Sequence, residues 1–170
     1  MTRPGMLIRR AAERDLDALG RLGAQLLRTH YELDRLRFMA PRGDTEEGYA
    51  WFLNTQLQRG DAVVLVAELE GRVVGYVYAA IEPQSWEELR EEAGFIHDVC
   101  VDENSRRSGV AAALVEAAAG WLASRGMPRI VLWTAARNEP AQHLFERLGF
   151  RHTMTELTRE ISGLRPEEGE

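Results

Sequence analysis

The chain has no lysine, and this absence excludes the phosphate-binding loop G-x-x-x-x-G-K-[ST] of P-loop nucleotide-binding proteins. A single cysteine, Cys100, excludes an internal disulfide and predicts a reducing, cytoplasmic location. No window of about 18 apolar residues could span a membrane, and no N-terminal apolar run is typical of a signal peptide. The formal net charge of −6 argues against nucleic acid and anionic lipid. We therefore expect neither nucleic acid nor a membrane as a partner.

The chain is long enough for one hydrophobic core, with 170 residues of which 45% are hydrophobic. We expect a single domain over residues 1–161 and a flexible tail over 162–170. The apolar spacing predicts elements in the order β-α-α-β-β-β-α-β-α-β. The last of these is a terminal strand, or a bent pair of strands, over 150–161. No group of histidine, cysteine and carboxylate residues has the spacing of a metal site, so we expect no metal.

The stretch 99–114 is the most informative part of the chain. It predicts an apolar strand, a short polar loop that contains Arg106 and Arg107, and a helix that begins at Gly109. The first N–H groups of a helix have no partner within it, and the helix dipole adds positive potential there. Such a helix start suits a phosphate or pyrophosphate. A dinucleotide fingerprint would need three glycines spaced G-x-G-x-x-G, and Gly109 stands alone.

A second block follows, over 130–150. An apolar, β-branched strand over 130–135 precedes an amphipathic helix, for which Asn138 is the expected N-cap. Pro140 in the first turn and Gly149 after the last turn are typical of the two ends of a helix.

Together the two blocks resemble the GNAT superfamily of acetyl-CoA-dependent N-acetyltransferases. The run Arg106-x-x-Gly109-x-Ala111 resembles its pyrophosphate motif, [Q/R]-x-x-G-x-[G/A]. The family's later block reads N-x-x-A-x-x-L-Y-x-x-x-G-F, and it is matched in register by Asn138, Ala141, Leu144, Gly149 and Phe150. The resemblance implies an α/β (α+β) GNAT fold, a mixed, splayed sheet of roughly six to seven strands flanked by about four helices.

The resemblance also implies where acetyl-CoA binds. The pantetheine arm would run along the main chain of the strand, the pyrophosphate would lie on backbone amides of the loop with Arg106 steering it, and residues of the later helix would contact the pantetheine and the thioester. These cofactor-binding residues are Val99, Cys100, Val101, Arg106, Arg107, Ser108, Gly109, Val110, Ala111, Asn138 and Phe145.

Phe145 is a departure from the family pattern. The family's usual tyrosine at this position is proposed to protonate the departing CoA thiolate, and phenylalanine has no such proton. A thiol with a pKa of about 8.5 needs only about 2 kcal/mol of help to leave at pH 7, so water can suffice. The alternative is a protein that binds acetyl-CoA as a sensor without turnover.

The acceptor amine must lose a proton before it attacks. His97 is the first candidate base, because its ordinary pKa of about 6.5 suits proton transfer. Strand alternation is expected to place His97 on the same face as Val99 and Val101, unless a bulge intervenes, and Asp98 on the other. Asp98 is therefore the second candidate. Arylalkylamine acetyltransferases have a histidine at a similar place, and this resemblance favours His97. The alternative is a structural histidine without a catalytic role.

The acceptor is the least constrained part of the prediction. A small-molecule amine is favoured over a protein or peptide amine. The acidic connection around Trp86 could attract a cationic acceptor, and Tyr31 lies in the region that forms the acceptor wall in relatives. The alternative for these residues is a solvated helix face and an ordinary half-buried aromatic. A homodimer is expected from the family alone.

Overall fold

The computed structural model of the protein describes residues 5–161. These residues form five strands and four α-helices, with short 3₁₀ turns at Glu13–Asp15 and Glu103–Ser105. In chain order the elements are β1 (Met6–Arg10), α1 (Leu16–Leu33), α2 (Thr45–Leu57), β2 (Ala62–Leu69), β3 (Arg72–Glu82), β4 (Ala93–Val101), α3 (Val110–Ser124), β5 (Ile130–Leu132) and α4 (Glu139–Arg147).

The strands form one mixed sheet in the order β1-β2-β3-β4-β5. The first four strands pair antiparallel, whereas β5 lies parallel to β4. The parallel pair is short, since only Gly94, Phe95 and Ile96 of β4 face partners on β5. Beyond this point β4 continues to Val101 and β5 ends at Leu132, so the two strands leave a gap. The predicted mixed, splayed sheet is confirmed.

Each face of the sheet carries its own apolar core. One core packs α3 on the sheet through residues such as Leu114, Leu122 and Val77. The other packs α1 and α2 on the opposite face through residues such as Leu22 and Leu53. Because β-strand side chains alternate between faces, β2 and β3 contribute to both cores, which accounts for their nearly continuous apolar sequences.

Two expectations about the fold are corrected. The sheet has five strands among the described residues, not six to seven. The predicted terminal strand over 150–161 is the main reason, because residues 151–161 form no helix, strand, turn or bend. Their side chains are exposed, and a β pattern without a paired edge does not become a strand. The predicted tail over 162–170 lies outside the described residues.

Candidate functional site

A cleft of about 690 Å³ occupies the gap between β4 and β5. It runs from the loop before α3, on one face of the sheet, to the loop between α1 and α2, on the other face. All four helices contribute to its lining, but α3 does so only through its first turn. The lining residues are Gln25, Leu26, Leu27, Thr29, His30, Arg37, Phe38, Met39, Tyr49, Ile96, His97, Asp98, Val99, Cys100, Val101, Arg106, Ala111, Leu132, Trp133, Thr134, Asn138, Pro140, Ala141, Leu144 and Phe145.

One end of the cleft is the start of α3. Gly109 has a φ of 81° and Arg107 a φ of 59°, and these left-handed residues turn the chain into the helix. The first hydrogen bond of the helix runs from the N–H of Ala113 to the carbonyl of Gly109, at 3.0 Å. Among the described residues, the backbone N–H groups of 107–112 donate to no backbone oxygen. Several free donors therefore lie together at the positive end of a helix, as an anion site requires.

The two arginines of this loop differ in position. Arg106 lines the cleft, together with Ala111, whereas Arg107 does not. The carboxylate of Asp102 accepts the N–H of Asn104 at 3.0 Å, and the hydroxyl of Ser108 donates to the carbonyl of Ser105. These local bonds stabilise the loop between β4 and α3.

The second helix of the cleft, α4, is built as the sequence predicted. The Asn138 side chain caps it by accepting the N–H of Ala141 at 3.3 Å. At the other end Gly149 has a φ of 88°, and the N–H of Phe150 reaches back to the carbonyl of Phe145 at 3.0 Å. The Phe145 ring packs edge-on against Phe150, with centroids 5.8 Å apart, and it lines the cleft with Asn138.

The middle of the cleft is a β-bulge in β4. Asp98 pairs with Tyr78 and Ile96 pairs with Ala79, so His97 is the extra residue. The bulge corrects the expectation from simple alternation that His97 shares a face with Val99 and Val101. The His97 ring instead stacks between Tyr78 and Phe95, at 5.0 and 5.5 Å between centroids. His97 and Asp98 both line the cleft, and Asp98 lies on the face opposite Val99 as expected.

Asp98 is the centre of a polar cluster on the α1–α2 side. Its Oδ2 accepts the hydroxyls of Tyr76 at 2.9 Å and of Tyr49 at 3.3 Å. Burial raises the pKa of the Asp98 carboxyl above its ordinary value, and the two hydrogen bonds partly offset this rise. Burial, together with the negative charge of Asp98, also raises the pKa of both tyrosines, so both remain donors at neutral pH.

The second tyrosine donor reaches Asp98 because of a glycine. The Tyr49 ring lies directly against the backbone of Gly23 in α1, where an added Cβ would come within 2.1 Å of the ring. Any larger residue at position 23 would displace Tyr49 from the cleft.

His97 has a carboxylate partner of its own. Its Nε2 lies 2.8 Å from Oε1 of Glu82, at the end of β3. This bond and the stacking on two rings fix the plane of the imidazole. Both candidate bases are thus held in defined positions in the same cleft, as proton transfer requires.

Cys100 is placed differently from these groups. Its thiol points into the protein and donates to the carbonyl of Leu22, 3.2 Å away. Burial raises the pKa of Cys100 to about 12, so a thiolate nucleophile is disfavoured at neutral pH.

Two predicted acceptor residues lie outside the cleft. The Tyr31 ring faces Arg35, whose guanidinium carbon is 5.6 Å from the ring centroid. Trp86 is 79% exposed in the connection between β3 and β4. Sequence reasoning missed Tyr49, Tyr76 and Phe38, because no motif links these residues, which are distant along the chain, to the bulge in β4.

Some classes of site are absent from the part of the chain that the structure describes. Within residues 5–161 there is no group of three or more histidine, cysteine or acidic residues that could hold a metal ion. No helix in that range is both long enough and apolar enough to cross a bilayer.

Comparison with curated proteins finds several acetyltransferases. The chain is 30% identical over 158 residues to a mycothiol acetyltransferase of Cellulomonas flavigena, a match that covers 91% of this chain and 43% of that protein. It is 29% identical over 107 residues to an N-alpha-acetyltransferase of Sulfurisphaera tokodaii, covering 59% of this chain and 64% of that one. The chain thus spans less than half the length of the mycothiol acetyltransferase.

Solved structures with the same fold include acetyltransferases. The aminoglycoside N-acetyltransferase AAC(6′)-Iy, in complex with CoA, superposes with a TM-score of 0.71 at 20% identity, over 92% of this chain and 95% of that chain. A protein of Bacillus halodurans gives a TM-score of 0.75 at 21% identity, over 91% of this chain and 99% of that chain. At these identities the likeness shows the fold.

The family model described as Acetyltransferase (GNAT) family matches residues 27–150, well over half of the chain. GNAT acetyltransferases use acetyl-CoA. The N–H groups before α3 and Arg106 fit its pyrophosphate, and the edge of β4 beyond Ile96, which pairs with no strand among residues 5–161, fits its pantetheine. The chain belongs to the GNAT family of acetyltransferases.

Proposed function

We propose that this protein transfers the acetyl group of acetyl-CoA to a primary amine of a small molecule, by direct attack while both substrates are bound. One observation carries the proposal. A single continuous cleft joins the anion-binding start of α3 to the Asp98 carboxylate, so it offers one end to a diphosphate and the other to a cationic amine.

On the donor side, the backbone amides of 107–112 and the Arg106 guanidinium would bind the pyrophosphate. The edge of β4 from His97 to Val101 faces away from β3 and pairs with no strand among residues 5–161. The carbonyl of Val101 on this edge already accepts the side-chain amide of Gln25 at 2.9 Å. The other outward main-chain groups would hydrogen-bond the pantetheine amides, which resemble a peptide. Asn138 and Phe145 would close the other wall of the channel.

On the acceptor side, the proton is the main difficulty. A side-chain amine with a pKa of about 10.4 costs roughly 4–5 kcal/mol to deprotonate at pH 7. We propose that Asp98 removes the proton from the amine, because the raised pKa of its carboxyl makes the carboxylate a stronger base. His97 is the alternative base. The amine nitrogen then forms the C–N bond as the C–S bond breaks. The nitrogen releases its second proton to water, and the CoA thiolate takes a proton from water because Phe145 has none to give.

Release of free CoA thiol tests the proposal. Acetyl-CoA would be incubated with the full chain, with and without a panel of primary amines and peptides, and the acetylated product identified by mass spectrometry. We expect amine-dependent thiol release with formation of the N-acetyl product. Thiol release that no amine accelerates, or an acetyl group found on Cys100 in trapped enzyme, would contradict direct transfer.

One observation favours a second candidate, a sensor that binds acetyl-CoA without turnover. Phe145 lines the cleft at the position where the family pattern has a tyrosine. If activity rises from near zero to a normal rate in Phe145→Tyr, the chain is a degenerate enzyme and the sensor is favoured. A protein or peptide amine is the remaining alternative acceptor, and the peptides in the panel address it.

We also propose a homodimer, in which the segment 151–161 of each copy pairs with the edge of β5 in the other. The segment carries three exposed apolar side chains, Met154, Leu157 and Ile161. Its backbone makes no hydrogen bond to any other backbone group among residues 5–161. If the segment could pair with β5 of its own chain, the high effective concentration would favour that pairing. It does not do so, and β5 remains an edge strand. A segment that does not return to its own edge can pair with that of a second copy.

Light scattering on the full chain tests the homodimer. Thr155→Pro removes a backbone donor in the middle of the segment, and Thr155→Ala is the matched control. We expect a dimer for the native chain and the control, and a larger monomer fraction for the proline variant. A native chain that is monomeric at every concentration would refute the homodimer.

A further inference from the structure

We infer that the acceptor is a primary monoamine with an apolar tail of about the size of an aromatic ring, not a polyamine or an aminosugar with several ammonium groups. This inference rests on the proposed acetyl transfer and names its substrate class. It runs against a simple reading of the structural neighbours, several of which are aminoglycoside acetyltransferases.

The cleft offers one carboxylate. Among the described residues Asp98 is the only acidic side chain in its lining. The Oδ2 atom of Asp98 is occupied by Tyr49 and Tyr76, and no described residue donates to Oδ1. One ammonium group can therefore bind Oδ1 with charge assistance, beside the bulge where the acetyl group must be presented.

The walls of the cleft that holds this carboxylate are largely apolar. Tyr49 contacts the carboxylate, and Leu26, Phe38, Met39 and Trp133 line the same cleft. Met39 is 76% exposed and Trp133 is 72% exposed, which is high for side chains of this size and type. An apolar tail that follows the ammonium group would cover these surfaces, as apolar ligand sites commonly do.

Further ammonium groups would find no anion there. The other charged groups of the lining are Arg37 and Arg106, and both are cationic. Glu156 lies near the cleft but is engaged with Arg37 through a 3.0 Å bond from Nη2. Glu82 is likewise engaged with Nε2 of His97. A second or third ammonium of a polycation would be desolvated next to apolar or positively charged groups, which is unfavourable.

The acidic connection between β3 and β4 does not supply the missing anions. An isolated antiparallel β-bridge between Ser85 and Arg90 closes this connection into a tight loop. The Arg90 guanidinium donates to Glu88 at 2.8 Å and lies over Phe95, with its carbon 4.7 Å from the ring centroid. No residue of this loop lines the cleft, so the expectation that the acidic connection around Trp86 attracts a cationic acceptor loses its structural basis.

Competing amines test the inference. The values of kcat/KM for phenylethylamine, spermidine and kanamycin would be measured at saturating acetyl-CoA. We expect phenylethylamine to exceed both polycations by a factor on the order of 100, because only its tail matches the walls. A value for spermidine or kanamycin equal to or above that for phenylethylamine would overturn the inference, although amine-dependent turnover itself would still support the proposed acetyltransferase.

Two variants sharpen the result. Phe38→Ala removes one apolar wall and should raise the KM for phenylethylamine about tenfold with little change for spermidine. Leu36→Ala, on the same loop but outside the cleft, is the matched control and should change neither. Equal losses for both amines in Phe38→Ala would show a structural role of the loop and would contradict tail recognition.

Equilibrium binding separates the inference from the proposed function. If no amine in the panel supports turnover, the proposed function fails, and calorimetric titration of the CoA-bound protein still decides the inference. Binding of phenylethylamine that is weakened in Asp98→Asn, with no binding of spermidine, would support the acceptor site. The reverse preference, or binding that is unaffected by Asp98→Asn, would refute it.

Discussion

The two halves of the cleft are built in different ways. The donor half is made of backbone, since its hydrogen-bond donors are main-chain N–H groups before α3 and the free edge of β4. The acceptor half is made of side chains, since Asp98, Tyr49 and Phe38 come from three separate elements and loops. Backbone geometry tolerates many side chains but needs glycine and capping residues at fixed spacings. A site made of side chains needs only that residues far apart in the sequence come together in the fold, and it leaves no local sequence pattern.

Under the proposed function, the half that binds acetyl-CoA can keep its shape while the acceptor half changes. A backbone cradle keeps its shape when neighbouring side chains change. A wall of side chains changes its specificity with a single substitution. The variants below separate the two halves, beginning with the largest expected effect.

Asp98→Asn should affect the acceptor half alone. Asparagine keeps an oxygen for the two tyrosine hydroxyls but cannot take the amine proton, so we expect kcat to fall by about 10²–10⁴ with the KM for acetyl-CoA unchanged. Asp17→Asn, an exposed position on α1, is the control. Initial rates of thiol release measure both. A much larger loss in His97→Asn than in Asp98→Asn would transfer the role of the base to His97.

Arg106→Ala should affect the donor half alone. Loss of a guanidinium that lines the cleft should raise the KM for acetyl-CoA about tenfold, equivalent to about 1.4 kcal/mol, with the amine KM unchanged. The control is Arg107→Ala, which removes the same charge from a neighbouring residue outside the cleft. If the two variants weaken acetyl-CoA binding equally, the effect is one of net charge and not of position.

Sequence alone could predict the local structure of the donor half, whose binding role belongs to the proposed function. Gly109, Arg106 and Asn138 carry their meaning in local spacing, and each is found where the pattern places it. The orientation of His97 could not be predicted, because a bulge adds one residue and reverses the alternation. Tyr49 could not be predicted either, since its position depends on close packing against Gly23 of another helix. The terminal strand was wrong because a β pattern does not show where its partner lies.

A stability measurement also separates Asp98 from an ordinary structural carboxylate. Its pKa is raised in the folded protein, so the folded state binds its proton more tightly than the unfolded chain, and ionisation costs stability as pH rises above the unfolded value of about 4. We expect Asp98→Asn to raise the Tm at pH 7, and the gain to vanish near pH 3. A lower Tm at pH 7 would show that the charged carboxylate stabilises the fold.

Phe145→Tyr should have the smallest effect. If water protonates the thiolate, the added hydroxyl changes kcat by less than about threefold, because a thiol is already a good leaving group at neutral pH. Phe150→Tyr places a hydroxyl on the ring that packs against Phe145, and it serves as the control for packing. Steady-state rates at saturating concentrations of both substrates measure the change.

The central claim is that the two halves of one cleft hold acetyl-CoA and the amine at the same time. Initial rates over a matrix of both concentrations test it most directly. Double-reciprocal plots that intersect are predicted, because the acetyl group passes from one bound substrate to the other. Parallel lines would show that CoA leaves before the amine binds, and would contradict the account by requiring an acetylated enzyme.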